Sequence, residues 1–278
     1  MNENKMIRTR PMEKLFRESP FEPFEPFEQN FDIPVELLQI SEENASAIFD
    51  HSKKIMCIMT QYKELLMMYN CALKEIQARF EILNAEFSVR HRRNPINSIN
   101  SRLKRSTSII SKMRRNDIPL TVENMEENIH DIAGTRIICS YVDDIYQISK
   151  ALINQEDIEL IKKKDYIANP KPNGYQSMHL LVRVPVFFEN QRKYMKVEVQ
   201  IRTIAMDFWA TLEHELRYKN QITHGEEIAV DLSDCAKTLA EVDAKMMDIR
   251  NRIEENRIEQ SPEDSLFEQL SRIDQAII

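Results

Sequence analysis

Lys193-Tyr194-Met195-Lys196-Val197-Glu198-Val199-Gln200-Ile201-Arg202 alternates without a break. Met195, Val197, Val199 and Ile201 fall on one side of an extended chain, and Lys196, Glu198, Gln200 and Arg202 on the other. A period of two reads as a strand with one apolar face for a core and one polar face turned away from it. Ser177 to Phe188 is a second apolar-rich run just before it, and the short polar turn between them predicts a hairpin. A row of Glu, Gln and Arg is ordinary on a solvated strand, so the row alone assigns no chemistry.

Outwards from this hairpin the same reading gives three more strands. In Ser98 to Lys104, Ile99 and Leu103 face one way, and Asn100, Arg102 and Lys104 the other. Thr135 to Tyr141 reads as a buried strand, with Asp131 just ahead of it, and Ile158 to Lys164 as another. Helices are expected from Ser106 or Thr107, with Ser108 and Lys112 one turn apart, and over Thr121 to Ile129, Val142 to Asn154 and Ile204 to Lys219. The fold class is α/β (α+β), with a sheet of about five strands.

Two long helical seams flank this core, which spans 88–220. In 41–87, Ile55, Met59, Tyr62, Leu66, Tyr69, Leu73, Ile76, Phe80, Leu83 and Phe87 step by four and three. In 226–260, Ile228, Leu232, Cys235, Leu239, Val242, Met246, Ile249 and Ile253 do the same. Such seams pack on their own domain or on a second subunit. Residues 1–40 carry the repeat Phe21-Glu22-Pro23-Phe24-Glu25-Pro26-Phe27-Glu28 and read as a disordered arm or a docking segment. The tail 261–278 is uninformative.

The chemistry concentrates in the segment Lys162 to His179, which holds Lys162, Lys163, Lys164, Lys171, Asp165, Asn173-Gly174, Tyr175, Gln176 and His179. Lysines around an Asn-Gly turn make a poor core and a good polyphosphate-nucleotide site. The turn presents Tyr175 for stacking on a base, or else Tyr175 is a satisfied tyrosine at a strand start. His179 binds phosphate, moves a proton, or is structural. Asp131 and Glu198 at neighbouring strand ends form the carboxylate pair that Mg²⁺ carrying a nucleoside triphosphate requires. His130-Asp131 also spells the HD pair of metal-dependent phosphohydrolases, but no second such constellation accompanies it.

Composition excludes several alternatives. Only three glycines occur in 278 residues (Gly134, Gly174 and Gly225), too few for a P-loop, a dinucleotide fingerprint, a kinase glycine loop or a nucleophile elbow. Net charge is −7, yet Val89 to Asn116 contains no Asp or Glu and carries Arg90, Arg92, Arg93, Arg102, Lys104, Arg105, Lys112, Arg114 and Arg115. A local basic field on an acidic chain suits a small anionic ligand better than a long polyanion. Cys57, Cys71, Cys139 and Cys235 show no ligand-like spacing, which fits reduced thiols in a cytosolic protein. No membrane span or secretory signal is visible.

Arg102-x-Lys104-x-x-x-Ser108, His130-Asp131-Ile132-Ala133-Gly134-Thr135-Arg136-Ile137-Ile138, the loop Lys164-Asp165-Tyr166-Ile167 to His179, and Glu198-Val199-Gln200-Ile201-Arg202-Thr203 stand in the order seen in RelA/SpoT-type alarmone synthetases. The match runs from about Phe87 to Lys219, and the chain length resembles the small bacterial members of that family. The resemblance implies a nucleotidyltransferase-like core on a mixed sheet. It implies a cytoplasmic GTP pyrophosphokinase that moves the β,γ-pyrophosphate of ATP onto the 3′-hydroxyl of GDP or GTP in the bacterial stringent response. By the same resemblance Arg102, Lys104, Ser108 and Lys112 bind ATP. Asp131 and Glu198 hold Mg²⁺, with Glu198 also the base. Lys162, Lys164, Lys171, Asn173, Tyr175, Gln176 and His179 form the acceptor side, and Arg136, Gln200 and Arg202 support it. Homotetramers built through flanking helices are implied too, with single-stranded RNA or (p)ppGpp as regulators. The longer bifunctional relatives carry Arg-x-Lys-Asp where this chain has Lys162-Lys163-Lys164-Asp165. Lysine keeps the charge without arginine's bidentate fork, so the choice between GDP, GTP and GMP does not carry over.

Two other readings compete. One keeps the fold and pyrophosphorylates the 3′ end of tRNA, with Arg90, Arg92, Arg93, Arg114 and Arg115 tracking RNA. The other is a non-catalytic nucleotide- or RNA-binding module.

Overall fold

The computed structural model describes residues 42–91, 93–219 and 225–256, so the arm 1–40 and the tail 261–278 lie outside it. The chain divides into two units at Ser52/Lys53, and only the opening turns of one helix are described in the first. The described elements run α1 (Glu42–His91), β1 (Ile96–Leu103), α2 (Ser106–Arg115), α3 (Val122–Asn128), β2 (Ala133–Cys139), α4 (Val142–Ile153), β3 (Glu159–Asp165), β4 (Met178–Phe187), β5 (Arg192–Thr203), α5 (Ile204–Lys219) and α6 (Gly225–Glu255). The five strands form one sheet in the order β1-β2-β5-β4-β3. β2 and β5 pair in parallel and the other neighbours antiparallel, so the sheet is mixed and β4–β5 is the hairpin that alternation predicts.

The alternation of β5 translates directly into burial. Met195, Val197, Val199 and Ile201 are buried, as are Met178, Leu180, Val182 and Val184 beside them on β4. Ile145, Ile148 and Leu152 of α4 and Ile109 and Met113 of α2 complete the same core. So do Leu65, Tyr69, Ala72, Leu73, Ile76, Phe80 and Leu83 of α1. At roughly 1.5–3 kcal/mol for each fully buried large apolar side chain, this layer dominates the drive to fold. α1 is one continuous helix, and its seam buries only from Tyr62 onwards, leaving Ile55 and Met59 exposed.

The seam of α6 divides between a packed half and an exposed half. Its inward side carries Leu232, Ala236, Leu239 and Asp243 against α5, the end of β5 and the loop that holds Gly174 and Tyr175. Val242, Met246, Ile249 and Ile253, four of the seam residues, are exposed in the single chain. Two polar ties fix the far end: Thr203 Oγ1 donates to Asp243 at 2.6 Å, and Arg250 grips Asp143 at the α4 N-terminus at 2.8 and 3.0 Å.

Candidate active site

Register places the polar side chains in two transverse rows on the face opposite the core. One row runs Asn100–Arg136–Gln200–His179–Lys164 and the other Arg102–Gly134–Glu198–Leu181–Lys162. Paired residues in adjacent strands point to the same face, so all five strands contribute to one surface. In the second row a Cβ added to Gly134 would meet nothing within 4 Å, which leaves an open floor between Arg102 and Glu198.

At one side of this floor sits Asp131, in the turn that leads into β2. Lys104, at the end of β1, donates to its Oδ2 at 2.8 Å, and Lys112, on α2, to its Oδ1 at 2.8 Å. Burial alone would raise the Asp131 carboxyl, but these two ammonium groups outweigh it and hold the carboxyl below the ordinary range. Ser108 and Arg102, the other residues expected on the ATP side, are exposed nearby in sequence and carry no partner role in this cluster. The basic stretch is partly spent on structure: Arg93 pairs with the buried Asp144, and Arg90 with Glu86 one helical turn away.

The middle of the face is a hydrogen-bonded chain that a 3.7 Å contact between His179 and Glu198 brings close to a ring. Arg202 Nη2 donates to Tyr175 Oη at 2.6 Å and to Gln200 Oε1 at 2.8 Å. Gln200 Nε2 donates to Glu198 Oε2 at 3.1 Å. Tyr175 Oη lies 2.7 Å from His179 Nε2, and His179 Nδ1 lies 3.7 Å from Glu198 Oε1. Arginine only donates, so the tyrosine oxygen accepts from it and its O–H donates to Nε2. That tautomer leaves the Nδ1–H of His179 facing Glu198, a long contact in this conformation. The His179 contact, with help from Gln200 and against partial burial, holds the Glu198 carboxyl below its usual range.

The loop after β3 is knitted by its own backbone. Asp165 accepts from the amides of Ile167 and Ala168 at 3.0 and 2.9 Å, so it shapes the turn. Lys171 and Gly174 close a turn through Gly174 N–Lys171 O at 2.8 Å, and Gly174 adopts φ 88°, the left-handed geometry expected of Asn173-Gly174. Tyr175 is half-buried, not fully presented. Its ring meets Trp209 of α5 at 6.3 Å, and the Lys171 ammonium stands 4.6 Å from its centroid. Asn173 donates to Glu213 of α5 at 3.1 Å. Gln176 instead lines the crevice between this loop, α5 and α6, together with Trp209, Ala236 and Asp243. Lys162 and Lys164 are exposed on β3, the edge strand. Lys196, in line with Glu198, is spent on the carbonyls of Glu126 and Glu127 in the last turn of α3.

Sequence reasoning missed Asp207, Trp209 and Glu213. All three lie on α5, which doubles back from the end of β5. Asp207 Oδ1 accepts from Arg202 Nη1 at 3.1 Å and lies 3.3 Å from Arg136 Nη1. The Nε atoms of Arg136 and Arg202 are buried without an acceptor, which leaves donors in reserve beside the floor. The spacing Thr203-x-x-x-Asp207 from a strand into a helix was the available signal: it returns a carboxylate towards the last strand residues.

Among the described residues no group of three or more His, Cys, Asp or Glu side chains could hold a metal ion. Asp131 and Glu198 remain the pair expected from the sequence, and such a pair would suit a cation that arrives on phosphate oxygens rather than one caged by protein alone.

Residues 101–223 match the family model described as a region found in RelA / SpoT proteins. The chain is 41% identical over 204 residues to the GTP pyrophosphokinase YwaC of Bacillus subtilis, covering 73% of this chain and 97% of that one. It is similar to the small alarmone synthetase 1 of Bacillus subtilis bound to its product pppGpp, at 34% identity and a TM-score of 0.63, over 70% of this chain and 99% of that one. The same Bacillus subtilis enzyme bound to AMPCPP matches with a TM-score of 0.59 at 33% identity, again over 70% and 99% of the two chains.

Proposed function

This chain belongs to the RelA/SpoT family, and from that membership and the polar sheet face we propose that it is a GTP pyrophosphokinase. It moves the β,γ-pyrophosphate of ATP to the 3′-hydroxyl of GDP or GTP, giving AMP and ppGpp or pppGpp. The observation that carries the reading is Glu198, at the centre of a polar face, between a lysine-bound carboxylate on one side and an ordered tyrosine loop on the other.

The chain's own residues divide the work. Arg102, Lys104, Ser108 and Lys112 receive ATP. Lys162, Lys164, Lys171, Asn173, Tyr175, Gln176 and His179 receive the guanine nucleotide, with guanine stacking on Tyr175 in place of the Lys171 ammonium. Arg136, Gln200 and Arg202 support that side. The acceptor 3′-oxygen attacks the β-phosphorus, the bond to the α,β-bridging oxygen breaks, and AMP leaves. Glu198 takes the hydroxyl proton. Its carboxyl stays ionised at neutral pH, and its weak basicity suffices because transfer occurs as the transition state forms. Such a transfer asks for in-line placement and neutralised charge more than for covalent work by the protein. Asp131 and Glu198 would hold a divalent cation, Mg²⁺ in this reading, which neutralises phosphate charge when bound.

The proposal extends to the assembly. Exposed seam residues on α1 (Ile55, Met59) and α6 (Val242, Met246, Ile249, Ile253) suit a homotetramer in the bacterial cytoplasm, and no described helix is long and apolar enough to cross a membrane. The test is direct: purified protein with Mg²⁺, ATP and each guanine nucleotide, with products resolved by ion exchange. AMP formed in step with a tetra- or pentaphosphate supports the reading, and ATP consumed without a new guanosine product contradicts it.

A further inference from the structure

We propose that Asp207 is a positioning residue that fixes Arg202, and that the Tyr175 hydroxyl, through the ring Arg202 anchors, aims the Glu198 carboxylate. The inference rests on the assignment of Tyr175 to the acceptor and Glu198 to proton transfer, and it adds a physical link between them.

Arg202 is buried among its partners. Burying a guanidinium is costly unless its donors and charge are met. Asp207 meets the charge through Nη1, at 3.1 Å, and this fixes the plane of the fork. Once fixed, Nη2 can reach only what lies in that plane, which is Tyr175 Oη and Gln200 Oε1. From these the contacts run along two arms to the two oxygens of one carboxylate. Gln200 reaches Glu198 Oε2, and Tyr175 reaches Oε1 through His179. Glu198 is therefore hydrogen-bonded on one side, and approached to 3.7 Å on the other, by groups that trace back to Arg202 and Asp207.

Tyr175 then has two separable jobs. Its ring face serves base stacking, and its hydroxyl closes the ring. A guanine arriving on that face must displace Lys171, now 4.6 Å from the centroid, and whatever this does to the tyrosine's tilt is transmitted to His179. The arrangement lets acceptor binding tighten the 3.7 Å His179–Glu198 contact. Groups that only orient a reacting side chain commonly cost about 10–100-fold when removed.

The test separates hydroxyl from ring. Acceptor affinity is measured by equilibrium dialysis of labelled GDP, and kcat by steady-state turnover, on the full chain. For Tyr175→Phe and for Asp207→Asn we expect kcat to fall about tenfold with acceptor affinity within about twofold of the parent. The double variant should lose little more than either single one, because both act through Arg202. His179→Asn, which keeps a donor where Nδ1 lies, should retain more kcat than His179→Ala. Parental kcat in Tyr175→Phe overturns the inference, as do multiplying losses in the double variant. Tyr175→Phe removes one oxygen, so it remains decisive if Asp207→Asn fails to fold. Tyr175→Ala reports on the underlying reading: unchanged GDP affinity there would remove the acceptor assignment and the inference with it. Weakened GDP affinity there, with parental kcat in Tyr175→Phe, would remove the inference alone.

Discussion

The Asp131 cluster and the Tyr175 ring share one sheet face but are built on different plans. Asp131 is a single carboxylate gripped by two lysines, all three partly open to solvent. The Tyr175 ring is a hydrogen-bonded circuit of mostly neutral groups around one buried arginine, open only at the 3.7 Å His179–Glu198 contact. A lysine pair can exchange its carboxylate for arriving phosphates at little structural cost, because flexible ammonium groups re-aim easily. Groups joined by consecutive hydrogen bonds cannot be altered at one point without moving their neighbours. We read the first as the side that neutralises charge and the second as the side that sets geometry.

The largest effect should come from the residue where the two regions meet. Glu198→Gln keeps shape and the Gln200 contact but cannot accept a proton. Turnover should fall by about 10²–10⁴-fold with an unchanged circular dichroism spectrum. Residual activity near that of the parent would separate Glu198 from the chemistry. Next comes Asp131→Asn, which leaves Lys104 and Lys112 without their anion. Activity should drop by about 10² or more while GDP affinity holds, and a loss confined to GDP would mean the two sides have been assigned the wrong way round. Tyr175→Ala should raise the KM for the guanine nucleotide by about tenfold or more and leave that for ATP near parental, since base stacking contributes about 1–3 kcal/mol.

Smaller effects probe the frame. Gly174 sits at φ 88°, and a Cβ there would fall 2.6 Å from Ala236 Cβ and 3.0 Å from Ser233 Cα on α6. Gly174→Ala should therefore cost at least about 1–2 kcal/mol, read as a lowered Tm, and weaken acceptor binding as the loop shifts. Asp243 gives the smallest effect and the opposite sign. Burial pushes its carboxyl up, against the Thr203 hydrogen bond. A raised folded-state pKa means its favourable contribution is present at low pH and lost as pH rises through that value. Asp243→Asn should then leave Tm unchanged or slightly higher at neutral pH, with no such gain near pH 4. Asp131 and Glu198 have the reverse sign: their carboxyls are held low, so the stability they contribute is present above the ordinary carboxylate range and lost as pH falls through the depressed values.

Strands were legible wherever one face was buried, because a one-residue slip would turn Met195, Val197 and Val199 outwards. Of the spaced residues Arg102, Lys104, Ser108 and Lys112, the structure joins Lys104 and Lys112 on Asp131, and of the run Lys162 to His179 it brings Tyr175 and His179 towards Glu198. What stayed hidden is what depends on register and return paths. Nothing in the local pattern says that Gln200 opposes both Arg136 and His179. Nor does it say that α5 brings Asp207 back to Arg202. The half-buried setting of Tyr175 was hidden for the same reason, because Trp209 comes from that returning helix. On α6 the seam was visible as a period, but which side of the helix meets the chain is fixed by Gly174, Thr203 and Asp143.

The most direct measurement follows label from ATP. Purified protein is incubated with Mg²⁺, γ-labelled ATP and GDP or GTP, beside Glu198→Gln, and the products are separated by thin-layer chromatography. Label should appear in ppGpp or pppGpp, with AMP released, and vanish in the variant. Label that stays in ATP or moves only to inorganic phosphate, with no guanosine product under any acceptor, would contradict the assignment of pyrophosphate transfer to this site.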